Sequence, residues 1–551
     1  MPNSSRIRYP IFIALALFFG GFLLLPLCNL LLRSVIGESG LGLSLFRDAL
    51  GDRALLRSVL GSLKVSAVSA ALSTFLALAL AISLRASHAG RRFCSFVRTV
   101  VTMPMLLPTL TYGFAIMYSF GKQGLITRVL GREIFPVYGF YGLLLGYVLY
   151  TLPSAFTLID DAAGYLDGKL TVVSILMGDG LLRGVWTSWI RPLAATIGGS
   201  FVLTFILAFT DYGIPAAIGG TYSVLATHLY DTILGSVPSF GKGAVLTVLL
   251  MAPAVFGFAL LRYLDRFTAH SDRASRVETP RHGLGDFLLK SFAIAAALGI
   301  ITVFAVLFVV PFAAGFPYDM RFTLANVSSA LSANNLVAAF RNSVCVSLMT
   351  ALAGTAMAFF AAMIAVRSGI ALPARRFVEG AAMLCNTIPG MVIGVSYLLF
   401  FTGGSFKRTL AILVISDVIH FFSTPYLMAK NALSRMNPAW ETAASLLGDS
   451  RLRSIWRIVV PNSLSTLFEM MTFFFVNSMV TVSAVIFLVT TRTMLVTAKI
   501  NELQYFMRYE DVFVLSLLIL AANLSLKSLV YAYRRSDATG ARKENSKEME
   551  A

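Results

Sequence analysis

Apolar stretches of about twenty or more residues, returning repeatedly with short polar links between them, leave this chain few folds to choose from. A bilayer's hydrocarbon core takes about 20 helical residues to cross. Runs of that order lie at about 10–32, 60–84, 97–120, 138–159, 193–218 and 243–262. After a polar, basic stretch at 263–287 they resume at about 288–312, 342–366, 378–402, 409–429, 463–490 and 510–532. Of the 551 residues, 57% are hydrophobic and 13% charged, more apolar surface than a water-soluble core of this size can hide. The expected fold is an all-α integral membrane protein of about 12 transmembrane helices. The first run follows Arg6 and Arg8 and is longer than the apolar part of a secretory signal, so it is read as an uncleaved helix. The charged end of the chain, 534–551, is expected to lack fixed structure.

One polar interruption, MNPAWETAASLLGDSRLRSIWRIVVP at 436–461, occurs in altered form earlier in the chain. Gly178-Asp179 corresponds to Gly448-Asp449, Leu182-Arg183 to Leu452-Arg453, and Val185-Trp186 to Ile455-Trp456, always 270 residues apart. Each copy reads as helix, bend, helix. Ala443, Ala444, Leu446 and Leu447 favour a helix, and Gly448-Asp449-Ser450 break it, with Asp449 or Ser450 placed to cap the next one. Leu452, Ile455 and Trp456 fall at helical spacing and make an apolar stripe suited to docking on a partner. Other positions repeat as well. Thr102-Met103-Pro104 parallels Thr387-Ile388-Pro389, Tyr112 parallels Tyr397, and Ser62 and Ser66 parallel Ser343 and Ser347. Two six-helix repeats of even span number run parallel, which implies a two-fold axis along the membrane normal and a path between the halves.

The net charge of +18 resides in the links rather than on one soluble face, so it points to membrane topology and away from nucleic acid. The Lys and Arg excess falls in the links sharing a side with the N-terminus, which places both termini, the 263–287 stretch and both repeated interruptions inside. Five histidines and four cysteines are too few and scattered for a metal or disulfide framework. The string from Gly235 to Lys242 has one residue too many for a phosphate-binding loop, and Gly243 stands where Ser or Thr should hold magnesium. Any ATP use therefore belongs to a partner.

The 436–461 stretch resembles the EAA loop of permease subunits in type I ATP-binding-cassette importers. Ala443 and Ala444 lie correctly before Gly448, and Ile458, Val460 and Pro461 follow at the expected distances. The acid is displaced to Glu441, with Thr442 in its place, and in the first copy Val172-Val173-Ser174 replace E-A-A. The resemblance covers nearly the whole chain, as two fused permease domains. It is nearest to the 2-aminoethylphosphonate and ferric-iron branch, on Asp211-Tyr-Gly-Ile-Pro215, Gly219-Gly220, 224–230 and 475–487, strings that lean toward the aminophosphonate group.

The resemblance implies a bacterial inner-membrane subunit that breaks no bond itself. Two ATPase subunits would carry ATP and magnesium, and a periplasmic or lipid-anchored solute-binding protein would deliver cargo. The expected coupling residues are Gly178, Asp179, Leu182, Arg183 and Trp186 in the first loop. In the second they are Glu441, Ala443, Ala444, Gly448, Asp449, Leu452, Arg453 and Trp456. The expected divisions are a first helix and outer loop at 1–56, permease domains at 57–263 and 342–532, a linker at 264–287, a helix and outer loop at 288–341 and a tail at 533–551.

Polar residues inside the runs complete the reading. Asp211, followed by Tyr212, must face protein or water at membrane depth, either meeting a cationic solute near the outer mouth or capping a helix end. Asn477, Ser478 and Thr481 give the eleventh run a polar side, for the path or for interhelical bonding. Asp417 and His420 are three apart and are expected to satisfy each other in the interior. The alternative is an ion-driven secondary transporter, which would need more midplane acids than these.

Overall fold

The computed structural model describes residues 5–37, 40–266, 283–367 and 369–550. Most of the polar linker expected at 264–287, residues 267–282, lies outside them. Helices in chain order are α1 (Tyr9–Val35), α2 (Arg53–Ala86), α3 (Arg91–Thr102), α4 (Thr109–Phe120), α5 (Phe140–Ala163), α6 (Lys169–Leu176), α7 (Leu181–Val185), α8 (Ala194–Thr210), α9 (Gly213–Ile218), α10 (Leu225–Leu234) and α11 (Phe240–Asp265). The second series is α12 (Gly283–Val309), α13 (Asn334–Arg367), α14 (Leu372–Thr387), α15 (Gly390–Phe400), α16 (Leu410–Phe421), α17 (Ser423–Arg435), α18 (Ala439–Leu446), α19 (Arg451–Ser454), α20 (Leu464–Val480), α21 (Val496–Tyr505) and α22 (Tyr509–Glu550). Strand is confined, among the described residues, to two short antiparallel hairpins. Among the described residues, seven helices are long and apolar enough to cross a membrane, and up to 12 spans result if each bent pair is counted as one. The protein is an all-α, multi-pass membrane protein.

The helices gather into two compact units, each holding most of one repeat. One comprises Val35–Ala330 with Ile500–Ser516, and the other comprises Met1–Ser34, Leu331–Lys499 and Leu517–Ala551. Each unit thus contains the opening helix of the other repeat: α12 packs within the first, α1 within the second. A tyrosine in each unit helps to anchor the exchanged helix, by different contacts. Tyr112 of α4 stands edge-on to Phe304 of α12 at 5.3 Å. The Tyr397 hydroxyl of α15 donates to the Phe22 carbonyl of α1 at 2.6 Å.

At the centre of each unit stands a helix of 34 residues, α2 or α13. Ser58, Ser62, Ser66, Ser69 and Ser73 recur along one buried face of α2. Small side chains let neighbouring helices approach where no hydrophobic effect drives association, and Ser73 meets Thr151 of α5 at 2.7 Å. In α13 the same role falls to Gly354, where an added Cβ would lie 2.7 Å from the Phe474 ring of α20.

The two Thr-x-Pro tripeptides, parallel in sequence, are not structural equivalents. Pro104 lies inside a short helical turn, Met103–Leu106, and the chain bends 111° only after it, at Leu107-Pro108, whereas the second bend, of 106°, falls at Ile388-Pro389 itself. Pro108 and Pro389 stand immediately before α4 and α15, where the missing N–H costs least.

Several expectations change. Like 97–120 and 378–402, the runs 193–218, 409–429 and 463–490 are not continuous helices. α8 and α20 are each 17 residues, again 270 apart, and end where Asp211 and Thr481 turn extended. Asp211 leaves α8 to cap the short helix α9, and after Thr481 the chain coils into turns over 483–488. The tail is also helical, α22 continuing to Glu550. Its Ala, Arg, Lys, Glu and Met residues are good helix formers and propagate from an existing nucleus.

Candidate functional site

The two repeated interruptions adopt the same geometry. α6 and α18 are each eight residues and end at a glycine in the left-handed region, with φ +72° at Gly178 and +85° at Gly448. A Cβ is disfavoured there, which explains the residue type. In both loops the next N–H closes the helix end, Asp179 to the Ser174 carbonyl at 3.1 Å and Asp449 to the Ala444 carbonyl at 3.0 Å. The aspartates then pair one turn onward, Asp179 with Arg183 at 3.0 Å and Asp449 with Arg453 at 3.3 Å. α7 and α19 follow, each leading into a wide five-residue helical turn, Trp186–Ile190 and Ile455–Val459. The chain then bends 77° into α8 and 67° into α20. These elbows lead directly into the helices that end at Asp211 and Thr481.

The elbows expose apolar surface. Leu182 is 84% and Trp186 56% exposed, and Leu176 and Met177 are also open. In the second loop Leu447 is 87% and Trp456 64% exposed, beside exposed Leu446 and Trp440. Ala443 is exposed, whereas Ala444 turns inward. The expected stripe through Leu452, Ile455 and Trp456 is not a single face. Ile455 is buried against its own unit and Trp456 points away, because adjacent helical positions differ by about 100°. The Leu452 side chain lies outside the described residues. Of the two expected caps, Ser450 serves, its Oγ accepting from the Arg453 N–H at 3.4 Å.

Different groups stiffen the two copies. In the first, the Ser174 hydroxyl donates to Asp179 at 2.8 Å, and the Thr187 hydroxyl reaches Ser174 at 3.4 Å. In the second, Glu441 pairs at 3.5 Å with Arg367, the last residue of α13. Arg367 carried no signal in the sequence, since a basic residue after an apolar run is ordinary.

Asp211, Tyr212, Asp417, Asn477 and Ser478 are each hydrogen-bonded within their own unit. Asp211 is 5% exposed and accepts from the Ile214 N–H at 2.9 Å, so it caps α9. Tyr212 is buried, with its hydroxyl 3.3 Å from Asn501 Oδ1 and its ring 4.7 Å from that of Tyr230. In the other unit the Ser478 hydroxyl donates to Asp417 at 2.5 Å and is reached by Ser347 at 3.1 Å. Asn477 donates back to the Phe473 carbonyl at 2.7 Å, and Thr481 is the buried end of α20. The expected Asp417–His420 pair does not form. Asp417 turns toward α20, while His420 lies beside Gly390.

Serines flagged by the repeat hold equivalent backbone. Ser62 Oγ accepts from the Leu225 N–H at 2.7 Å, and Ser343 Oγ from the Val496 N–H at 2.8 Å. Each thereby fixes the first residue of the helix beyond the break, α10 or α21.

Many helices, paired elbows and a broken helix after each elbow define a membrane transport subunit. No family model matches the chain. It is 26% identical over 472 residues to a ferric transport system permease protein of Actinobacillus pleuropneumoniae, covering 82% of this chain and 67% of that protein. A putative ferric transport system permease protein of Haemophilus influenzae is 25% identical over 459 residues, 80% of this chain and 71% of its own length. A molybdenum transport system permease protein of Mycobacterium bovis is 26% identical over 201 residues, 36% of this chain and 75% of its own. Over most of its length the chain is thus similar to permease subunits of ATP-binding-cassette importers, and it is a multi-pass membrane protein.

Proposed function

We propose that the elbows around Gly178 and Gly448 are the docking points of two ATPase subunits, which supply ATP and magnesium that this chain does not bind. The carrying observation is the twin presentation of large exposed apolar side chains, Leu182 with Trp186 and Leu447 with Trp456, on glycine-ended bends that lead straight into broken membrane helices. Single exposed apolar residues are ordinary, but clusters of this kind mark interaction surfaces. On this reading the termini and both elbows face the cytoplasm, and a solute-binding protein delivers cargo to the opposite face. The transporting cores are 57–263 and 342–532. Asp211, Tyr212, Asn477, Ser478 and Thr481 shape the ends of the helices that border the path.

Ferric iron is the cargo favoured by the named relatives, and 2-aminoethylphosphonate is the competing cargo favoured by the strings around Asp211 and Phe475. Uptake of each by cells expressing the whole transporter separates them. Iron-specific uptake supports the first and aminophosphonate-specific uptake the second. Uptake that collapses with an uncoupler and persists without any ATPase overturns the importer reading. Replacing Trp186 and Trp456 together with Ala should reduce ATPase co-purification at least about tenfold, in line with the cost of removing two large aromatic anchors.

A further inference from the structure

The two elbows present similar outer faces but are fastened differently behind. We infer that Arg367 is a positioning residue that ties the second elbow to α13, so that this elbow, more than the first, moves the far end of its unit. This inference rests on ATPase docking at the elbows.

Arg367 is only 7% exposed at its side chain. Its Nη2 donates to the Leu433 carbonyl at 2.7 Å and the Met436 carbonyl at 2.6 Å, and its Nη1 lies 3.5 Å from Glu441. One guanidinium therefore holds the last turn of α17, the segment after it and the start of α18. A planar fork with several donors suits such a junction, whereas an ammonium is a single point. The carbonyls of a helix end are among the groups that require outside partners.

The other end of α13 is fixed as well. Asn342 donates to the carbonyls of Arg492 and Met494, both at 3.2 Å, and Ser343 holds the Val496 N–H. Midway, Ser347 reaches Ser478 of α20. A helix of 34 residues spans about 50 Å. α13 is thus a rod whose one end is bound to the elbow and whose other end is bound to the loop that leads into α21.

Among the described contacts, the rod of the first repeat is attached differently. Ser62 and Tyr222 fix its far end, the latter through a 3.0 Å bond to the Gly61 carbonyl. At the near end Arg85 gives two 2.5 Å bonds, to the carboxylate and carbonyl of Asp160. Asp160 precedes the first residue of α6 by nine positions, so the grip falls on α5 and not on the elbow. The first elbow is instead braced internally, through Ser174, Asp179 and Thr187.

The test uses the full chain reconstituted with its ATPase subunits, with Cys28 and Cys345 replaced by Ser and Arg492 by Cys. The thiol-labelling rate at 492 is measured with and without MgATP plus vanadate, alongside basal MgATP hydrolysis. With the response expressed per assembled ATPase, Arg367→Ala should reduce the nucleotide-dependent change in labelling about tenfold, a factor within the usual range of coupling between sites. Arg367→Lys, which keeps the charge, should fall between, and it carries the test if the alanine variant does not fold. Arg85→Ala should leave a larger response at 492 than Arg367→Ala. Full nucleotide response in both Arg367 variants, or equal loss on replacing Arg85, overturns the inference. Failure of any ATPase to assemble with the unsubstituted chain overturns the docking reading itself, and that shows before any Arg367 variant is made.

Discussion

Gly178 and Gly448 occupy left-handed backbone with no neighbouring atom that a side chain would strike. The demand for glycine is therefore purely conformational, and a β-branched residue there costs about 1–2 kcal/mol. Gly448→Val should leave membrane insertion intact while shifting the preceding helix end, read as weaker ATPase co-purification at unchanged expression. The serines give a cleaner energetic contrast. Ser343→Ala strands a buried N–H at Val496, a loss of about 1–3 kcal/mol, seen as a lowered Tm in detergent. Ser66 sits on the same face of α2 as Ser62, yet its hydroxyl has no hydrogen-bond partner. Ser66→Ala should leave Tm essentially unchanged. The sequence paired Ser62 with Ser343 and Ser66 with Ser347 alike, because a repeat reports position and not which hydroxyl finds a donor. Likewise Asp417 and His420 had the spacing to meet, but a hydroxyl from α20 lay closer to the carboxylate.

Between helices, the two repeats solve one problem with opposite signs. Arg98 on α3 pairs with Asp160 on α5 at 2.9 Å, and Glu379 on α14 pairs with Lys430 on α17 at 2.9 Å. Arg98 and Glu379 are 281 residues apart, and Asp160 and Lys430 are 270 apart, so the same junction carries reversed charges. That signal was present in the sequence, but only the packing of α3 on α5 and of α14 on α17 reveals that the positions are partners. Asp160 serves both Arg85 and Arg98 and is nearly buried, whereas Glu379 and Lys430 are each about a third open. Asp160→Ala should therefore destabilise more, by about 2 kcal/mol, since it removes the carboxylate that two guanidiniums share. Glu379→Ala should cost about 1 kcal/mol or less. Thermal unfolding of the two variants in one detergent checks the order. Helix breaks were partly legible on the same terms. Proline marked the turns before α4 and α15, but the ends of α8 and α20 fall inside apolar runs, where hydropathy does not distinguish helix from extended chain.

Across the whole chain, hydropathy and the 270-residue repeat were enough to read an all-α membrane protein built twice over. Which helix belongs to which bundle was not legible, because an apolar helix surface carries no address. The structure groups α1 with the second repeat and α12 with the first. Phe19 of α1 stands edge-on to Phe422 at 5.0 Å, and Phe22 accepts the Tyr397 hydroxyl. A chain lacking residues 1–35 should therefore become protease-sensitive around 390–426, in the other half of its sequence, while 109–163 stays protected. Limited proteolysis of membranes containing the shortened chain measures this directly.

That exchange also sets an order of assembly on the ribosome. α1 must wait in the lipid, without its final neighbours, until hundreds of later residues have emerged, whereas α12 meets a bundle of which most is already made. α1 is then exposed during synthesis for longer than α12. Membrane proteases that clear unfinished polypeptides would find their foothold there, at the one of the two that translation left longer alone.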